Sequence, residues 1–573
     1  MSKARWLFPA VALCMAPFFS HTAELLSTDY TGTHSASRGV GEALVISKDG
    51  RLAAFTSLGT NVVSNDTNGM NDLYVHDCLL RRHVWDTTFG LSFPFAGGTP
   101  TSTPWDFTPD GRYFVFVSPA TNMVSGFPFS LDNVYQLYVR DLLSNITTLV
   151  SVAHDGTNIA DRSFNSSPRP TRAISTDGRF VSFLSSATNL VAVPDVNFAN
   201  DIFCRDLVSG TTELISIAPS RDRTLDADSG SLIVSTNARF FAFATAATNV
   251  LGGGIFPTNH FTQIYWRDRL TGTNALVTVT WDGTFAASSA SLRDMSGDGR
   301  FVCFQSVATN IVQNQKDSAS TYDLFIRDMF LGETWLVSRA TNGNASGGAN
   351  GGQFSASGQV LIFSANQGTL VPGVSDVNGD GADVYAHYVQ SRSNGIVSAS
   401  WQGNSGADTY TADGFANISA SGRYVLFSTT AGNLIRGSTS KVQRLYLRDL
   451  QAGVTLNPLR SDYFPTPAFN YAHTAISDNE RYIFFITQTN FDRTVIDTNN
   501  TIDLFRAPLY QPKFLSVRPL LADALPGFTY VLETSSDLLQ WSPVQTNTAD
   551  PTGRLSFQDP APATQRFYRL LWP

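Results

Sequence analysis

The sequence is short of cysteine, of charge and of long apolar runs. Four cysteines in 573 residues exclude a disulfide-stapled scaffold. Cys14 lies in the first two dozen residues. Cys78, Cys204 and Cys303 form an odd set without metal-ligand spacing. Cys204 in DIFCRD takes the place of Val75 in DLYVHD, and Cys303 sits inside RFVCFQS. Each reads as a small buried hydrophobe. Charged residues are only 15% of the chain and the formal net charge is −8. An acidic chain with no Lys/Arg cluster is unsuited to nucleic acid or to an anionic membrane surface. Beyond residue 23 no apolar run has membrane-spanning length, and no stripe has helical period. The eight histidines show no metal spacing. The G-x-S-x-G, HExxH and phosphate-loop signatures are missing.

What is there begins with a leader. MSKAR is a basic start, WLFPAVALCMAPFF an apolar run and SHTA a small-residue cleavage region ending at Ala23. This pattern predicts a secretory signal peptide over 1–23. Its removal takes Lys3 and Arg5 away and the net charge from −8 to −10. Leu13 before Cys14 does not fit a lipoprotein signal. The mature chain is expected to be secreted, periplasmic or at the cell surface, monomeric and without a membrane span.

A self-similar unit fills most of the rest. ISKDGRLAAFTSLGTNVV at 46 recurs as FTPDGRYFVFVSPATNMV at 107 and ISTDGRFVSFLSSATNLV at 174. Later copies begin at 234, 295, 354, 418 and 476, so the unit occurs eight times with a period of about sixty residues. Each unit reads as four strands. The Asp-Gly pair makes a tight hairpin, and RYVxF after it alternates apolar and polar. LYVRD or DIFCRD is a third strand, and TTLVSV or TELISI a fourth. Eight such units predict an all-β, eight-bladed β-propeller over 24–511. ELLSTDYTG at 24 matches a fourth strand, whereas the last unit stops at IDLFRAPLY without one. The strand at 24–30 is therefore expected to close blade eight.

The SxDGRYVxF and LYVRDLxTGxT patterns resemble the TolB-type, WD-repeat-like propellers of bacterial exported proteins, over roughly residues 24 to 511. Sialidase Asp-boxes share the SxDG core but carry a second Gly with an aromatic residue after it, which this chain lacks. Residues 512–573 leave the repeat. FTYVLETSSDLLQW, RLSFQD and RFYRLLWP predict a small β-sandwich-like module. They resemble C-terminal modules of secreted bacterial proteins with a YxLExSxDLxxW signature, which implies a surface or sorting role.

Calcium is the one cofactor the residues suggest. Asp66, Asn68 and Asp72 in blade one share a D-x-N-x-x-x-D spacing with Asp195, Asn197 and Asp201 in blade three. Asp497, Asn499 and Asp503 repeat it in blade eight. Blade six has Asp376, Asn378, Asp380 and Asp383 in DVNGDGAD, the first half of an EF-hand loop, with His387 where that loop needs Glu. Alternate oxygen-bearing residues with a Gly to bend the loop suit a structural calcium ion. The same residues make turns without metal, and both readings stand at this point. Blades two, four and seven have Gln136, Gln263 and Arg444 at the last position, which is expected to cost them any ion.

The recurring pairs Arg140-Asp141, Arg205-Asp206, Arg267-Asp268, Arg327-Asp328 and Arg448-Asp449 read as turn caps with a surface ion pair. A ligand site is expected where the blades differ, at the channel mouth. Trp105, Asp106, Arg172, Arg293, Asp294, Asn417 and His473 precede the repeated Ser there. Two functions follow. The first is a non-catalytic binding or scaffold protein for an envelope protein or an extracellular glycan. The alternative is a polysaccharide hydrolase or lyase using Asp106, Arg172, Arg293, Asp294 and His473. Relatives fused to peptidases are not expected to be a guide, because 512–573 is too short for an α/β-hydrolase domain.

Overall fold

Phe and Tyr recur at one position of the second strand and one of the third in every repeat, and their pairing organises the fold. In the computed structural model Phe55 lies across from Tyr74, Phe116 from Tyr138, Phe183 from Phe203 and Phe243 from Tyr265. Phe304–Phe325, Phe363–Tyr385, Phe427–Tyr446 and Phe485–Phe505 complete the set. Their ring centroids are 5.3 to 6.1 Å apart. Each pair is largely or fully buried and supplies the apolar area that holds the middle of a blade together.

The structure describes residues 23–571, apart from 42–43, 65, 67–70, 88–101, 121, 129–134, 165–168, 253–259, 316–320, 344–347, 367–369, 380, 410, 412–415, 436–440, 460–473, 489, 493–494, 500, 510–512, 518–519, 525–527, 536–539, 551–552 and 559–566. No helix occurs among them. Residues Ala23–Arg506 form one unit of eight antiparallel sheets, an eight-bladed propeller. Blade one is typical, with strands Val45–Ile46, Leu52–Ser57, Asp72–Asp77 and Arg82–Asp86 in that order from the inside out. Seven blades have four strands. Among the described residues blade three has three, with a single bridge, Ile174 to Val181, in the innermost position. In blade eight the outermost strand is Glu24–Leu25, paired antiparallel with Asp503–Pro508. Blade eight shares a core with blade one, in which Phe484 and Ile486 pack among Ala53, Phe55 and Tyr74.

The Ser-x-Asp-Gly hairpins fold locally. In blade one Ser47 Oγ donates to Asp49 at 2.6 Å and accepts Leu52 N–H at 2.9 Å. Gly50 has φ 71°, and a Cβ there would lie 2.8 Å from Ser477 Cβ of blade eight. Position and neighbour together select glycine. The side chain of the Arg after that position, which is Ala238 in blade four, does not act locally. Arg51, Arg112, Arg179, Arg239, Arg300 and Arg423 form ion pairs of 2.7 to 2.9 Å with Asp77, Asp141, Asp206, Asp268, Asp328 and Asp449. These forks tie the hairpin to the next turn, whose N–H groups the same Asp caps, as with Leu143 and Ser144 on Asp141.

This corrects the reading of the Arg-Asp pairs, whose members are not each other's partners. The neighbouring Arg points across to the fourth strand instead. Arg140 reaches Thr147, Arg205 Thr212, Arg327 Thr334 and Arg448 Thr455.

The repeated Thr-Asn links blades. Asn189 Oδ1 accepts Asp161 N–H, and its Nδ2 donates to Ile159 O. Asn433 does the same with Asp408 and Gly406.

The second unit includes residues 507–573. Strands Lys513–Val517, Leu520–Asp523 and Arg554–Phe557 make one sheet. Thr529–Ser535 lies between Ser542–Thr548 and Phe567–Leu571 in another. Leu520, Ala522, Leu555 and Phe557 from the first share a core with Tyr530 and Leu532 from the second, a two-layer arrangement.

Candidate functional site

The residues read as a channel-mouth site are placed by the inner strands. Asp106 and Asp294 each sit at a bulge, between Pro104 and Asp106 and between Leu292 and Asp294. A bulge re-aims the side chain it carries, and both carboxylates turn toward the next blade. Asp106 Oδ2 accepts Ala173 N–H at 2.8 Å and Ile174 N–H at 3.3 Å, while Oδ1 accepts Phe107 N–H at 2.9 Å. Asp294 Oδ2 accepts Phe354 N–H at 2.7 Å and Oδ1 accepts Met295 N–H at 2.8 Å. Burial pushes both carboxyls up. Their backbone donors pull them back, with Arg169 doing the same for Asp106 and Arg172 for Asp294.

Arg172 spans three blades. From blade three its Nη1 donates at 3.1 Å to Val234 O of blade four and at 3.1 Å to Met295 O of blade five. Its Nη2 stands 3.9 Å from Asp294. Asn417 donates to Thr474 O at 2.9 Å and to Thr474 Oγ1 at 2.7 Å. Arg293 bonds Gln305 within its blade and Asn350 of the next, the latter at 3.2 Å. Trp105 is buried in the core shared by blades two and three. His473 lies outside the described residues. Of these residues, then, the structure brings Arg172 and Asp294 together. Asp106, Asp294 and Asn417 each hold a different blade junction, and the two carboxylates and the Asn417 amide nitrogen are engaged by backbone or by the neighbouring blade. Sequence reasoning missed Arg169, whose Nη1 donates to Pro104 O at 3.2 Å beside Asp106.

The loop carboxylates have a different job. The first residue of the third strand is bonded by a hydroxyl one or two residues beyond the end of the fourth. Thr87 donates to Asp72, Ser216 to Asp201, Ser338 to Asp323, Ser398 to Asp383 and Ser27 to Asp503, at 2.6 to 3.0 Å. Each hydroxyl also accepts the N–H one residue further on, as Ile202 N–H on Ser216 at 2.9 Å. Blades two and four make the same contact to an amide, from Ser151 to Gln136 and from Thr278 to Gln263. Gln136 Nε2 then donates to Ala160 O and Gln263 Nε2 to Ala286 O. In blades three and eight the Asn of D-x-N supplies that donor. Asn197 Nδ2 donates to Leu225 O at 2.9 Å, and Asn499 Nδ2 to Ala36 O at 2.9 Å and to Asp503 at 3.2 Å. One glutamine thus does what an Asp–Asn pair does elsewhere.

The leading Asp of the loops in blades three, six and eight caps a turn. Asp195 accepts Asn197 and Phe198 N–H, Asp376 accepts Asn378 and Gly379 N–H, and Asp497 accepts Asn499 N–H. Asp66 accepts the Tyr74 hydroxyl at 3.2 Å. Asn68 and Asp380 lie outside the described residues. Among the described residues no three His, Cys, Asp or Glu side chains cluster as a metal site. In blades three and eight the amide oxygens accept Ala199 and Thr501 N–H, so these loops fit a turn. Blade six fits an ion better. There, among the described residues, Asn378 Oδ1 has no hydrogen-bond partner, whereas the charge of the leading Asp raises the last one alike in all three loops, Asp376 on Asp383, Asp195 on Asp201 and Asp497 on Asp503. Burial is the main cause, placing Asp383 at about 6 and Asp201 and Asp503 at about 7.

No family model matches the sequence, and no curated protein does. Among solved structures, the β-propeller domain of the Trilobed protease from Pyrococcus furiosus is 12% identical with a TM-score of 0.36, covering 75% of this chain and 99% of that one. The C-terminal WD40 domain of Sif2 is 9% identical with a TM-score of 0.37, covering 83% and 97%. Pyrococcus horikoshii acylaminoacyl peptidase is 12% identical with a TM-score of 0.34. The match covers 81% of this chain and 59% of the peptidase.

Proposed function

We propose that the chain is an exported, non-catalytic propeller of the TolB-like kind that binds a protein or glycan of the cell envelope, with the terminal module holding it there. The observation that carries this reading is the use made of Asp106 and Asp294. A catalytic acid or base needs a carboxylate free to exchange a proton with substrate, and these two cap N–H groups at blade junctions.

Binding draws support from the opposite end of the blades. In an antiparallel blade the turns after the second and fourth strands share one end. The turn after the fourth strand exposes Tyr30 in blade eight, His154 in blade two, Trp281 in blade four and Trp401 in blade six. Blades three and five have Pro219 and Thr341 at that position. Exposed aromatic rings on fixed turns offer stacking faces to a partner at little entropic cost. Calcium belongs to this reading as a structural ion of the blade-six loop, supported by Asp376, Asp383 and the unpartnered Asn378 oxygen.

The test is a glycan and envelope-protein binding array on the purified protein, run beside a polysaccharide turnover assay with Asp106→Asn, Asp294→Asn and His473→Ala. Ligand retention without turnover is expected. Turnover that disappears in one correctly folded variant overturns the reading.

A further inference from the structure

A cavity of about 470 Å³ opens on the outer side of blade three, within the range of small-ligand sites. His154 of blade two, Arg205, Thr212 and Glu213 of blade three, Arg221 of the following turn and Arg267 of blade four line it. Three arginines thus gather in a chain whose net charge is −8.

Arg221 is the unusual one. In the equivalent turns this position is Gly32, Gly156, Gly283, Gly343 and Gly403, all with φ between 72° and 86°. Here it is Arg, with φ 60°, a conformation that costs any residue with a Cβ. Two other arginines among the described residues adopt it, and both are paired: Arg81 with Glu24 at 3.4 Å, and Arg392 with Glu333 over the Trp335 ring. Among the described residues the Arg221 guanidinium has no such partner. Asp222 is held by Arg223 at 2.9 Å and Glu213 by Arg269 at 3.3 Å.

Arg221 shares a neighbour, Gly272, and a cavity wall with a second cation, Arg267. Its Nη2 is 1.9 Å from where a Cβ of Gly272 would be, so the guanidinium fills space left by that glycine. Arg267 Nη1 donates to the same Gly272, at its carbonyl, over 3.3 Å. Burial lowers Arg267, and the Arg221 charge lowers it further against the opposing pull of Glu213. Two guanidinium groups gathered at one glycine, each feeling the other's charge, are relieved by an anion between them.

We propose that this cavity binds an acidic sugar unit of a glycan, its carboxylate between Arg221 and Arg267 and its hydroxyls on Thr212 and Glu213. The proposal rests on the binding reading above and names its ligand. A sugar is favoured over an acidic peptide because the wall offers a hydroxyl and a carboxylate beside the cations. An acidic side chain brings the charge but not the hydroxyls.

The experiment is calorimetric titration with hexagalacturonate, a neutral glucan hexasaccharide and a hexaglutamate peptide, using wild type, Arg221→Gly and Arg221→Lys. Wild type is expected to prefer the uronate, and added salt to weaken it. Arg221→Gly is expected to lose at least about tenfold in affinity, roughly 1.4 kcal/mol, with a melting temperature equal or higher because glycine suits the turn. Arg221→Lys, keeping the charge, falls between. Unchanged uronate affinity in folded Arg221→Gly overturns the proposal, as does a peptide bound as tightly as the uronate. Neutral glucan bound without preference for uronate removes this site yet leaves the binding reading standing. No binding of any probe removes this site and the glycan form of that reading, leaving the array to test protein ligands.

Discussion

Leu25 stands opposite Phe505 in the outer pair of strands of blade eight, although the two lie near opposite ends of the ring's chain. The join is reinforced on both sides. Ser27 Oγ donates to Asp503 at 2.8 Å, Leu25 N–H donates to Asp492 at 3.1 Å, and Arg506 pairs with Glu24. Leu26 is fully buried in the core shared by blades eight and one.

Leu26→Ala is therefore expected to cost about 2–4 kcal/mol, the range for a buried leucine in a core that cannot collapse around the gap. Deleting residues 24–35 is expected to cost more and to promote aggregation, because it bares the edge of the Asp503–Pro508 strand. Urea denaturation and light scattering on the purified variants check both. A deletion that melts like the parent means that the ring does not depend on this strand.

Asp201 gives a pH prediction. Its folded pKa is raised to about 7 by burial, against an ordinary 3.8. Between those values the folded chain holds the proton that the unfolded chain releases. The group's contribution is thus complete below about pH 4 and is lost as pH rises through about 7. Asp201→Asn keeps an acceptor for Ser216 and removes the charge, much as Gln136 and Gln263 do in blades two and four. At about 1.4 kcal/mol per pKa unit, a rise of about three units sets a ceiling of about 4 kcal/mol. Because the asparagine amide must itself be desolvated, the variant is expected to gain roughly 1–3 kcal/mol at pH 8 and nothing at pH 4. Calorimetric melting at the two pH values decides it, and an equal gain at both counts against the buried charge.

The hairpins were legible because their partners are local: Ser47, Asp49 and Arg51 bond within five residues. The aromatic pairs were legible through repetition at fixed strand positions. The role of the loop carboxylates was not, because Ser216 reaches Asp201 from just beyond the fourth strand, 15 residues on. A sequence shows the carboxylate without its donor, and the D-x-N spacing then suggests a metal. The inner strands hid more. Asp294 is explained by Phe354, 60 residues away in the next blade, and its isolation from the repeat pattern made it look like a ligand residue. Arg221 did leave a trace, since PSRD lacks the Gly of its sister turns.

Calcium at blade six is expected to raise the melting temperature, since an ion that binds the folded state stabilises it by mass action. Asp376 and Asp383 are the carboxylates concerned, and the ion would also offset their mutual repulsion. Melting in chelator and in millimolar calcium, for wild type and Asp376→Ala, measures it. A rise in wild type that Asp376→Ala abolishes is the expected result. Identical melting in all four samples returns the loop to a plain turn.

Asp294 separates a clamp from a catalyst. Its two oxygens accept N–H groups of Phe354 and Met295, and Arg172 stands 3.9 Å away. Asp294→Ala leaves those buried donors without an acceptor, and is expected to destabilise by about 2–3 kcal/mol, more than an ordinary surface change. Asp294→Asn keeps one acceptor oxygen and is expected to cost about half as much, with the amide nitrogen facing a donor it cannot accept. A clamp predicts that stability follows this order while ligand affinity at the outer face of blade three stays unchanged. A catalyst predicts the reverse, with Asp294→Asn folded and stable but inert toward a polysaccharide that wild type degrades. Measuring denaturation midpoints and turnover on the same preparations distinguishes the two, and loss of turnover without loss of stability refutes the clamp.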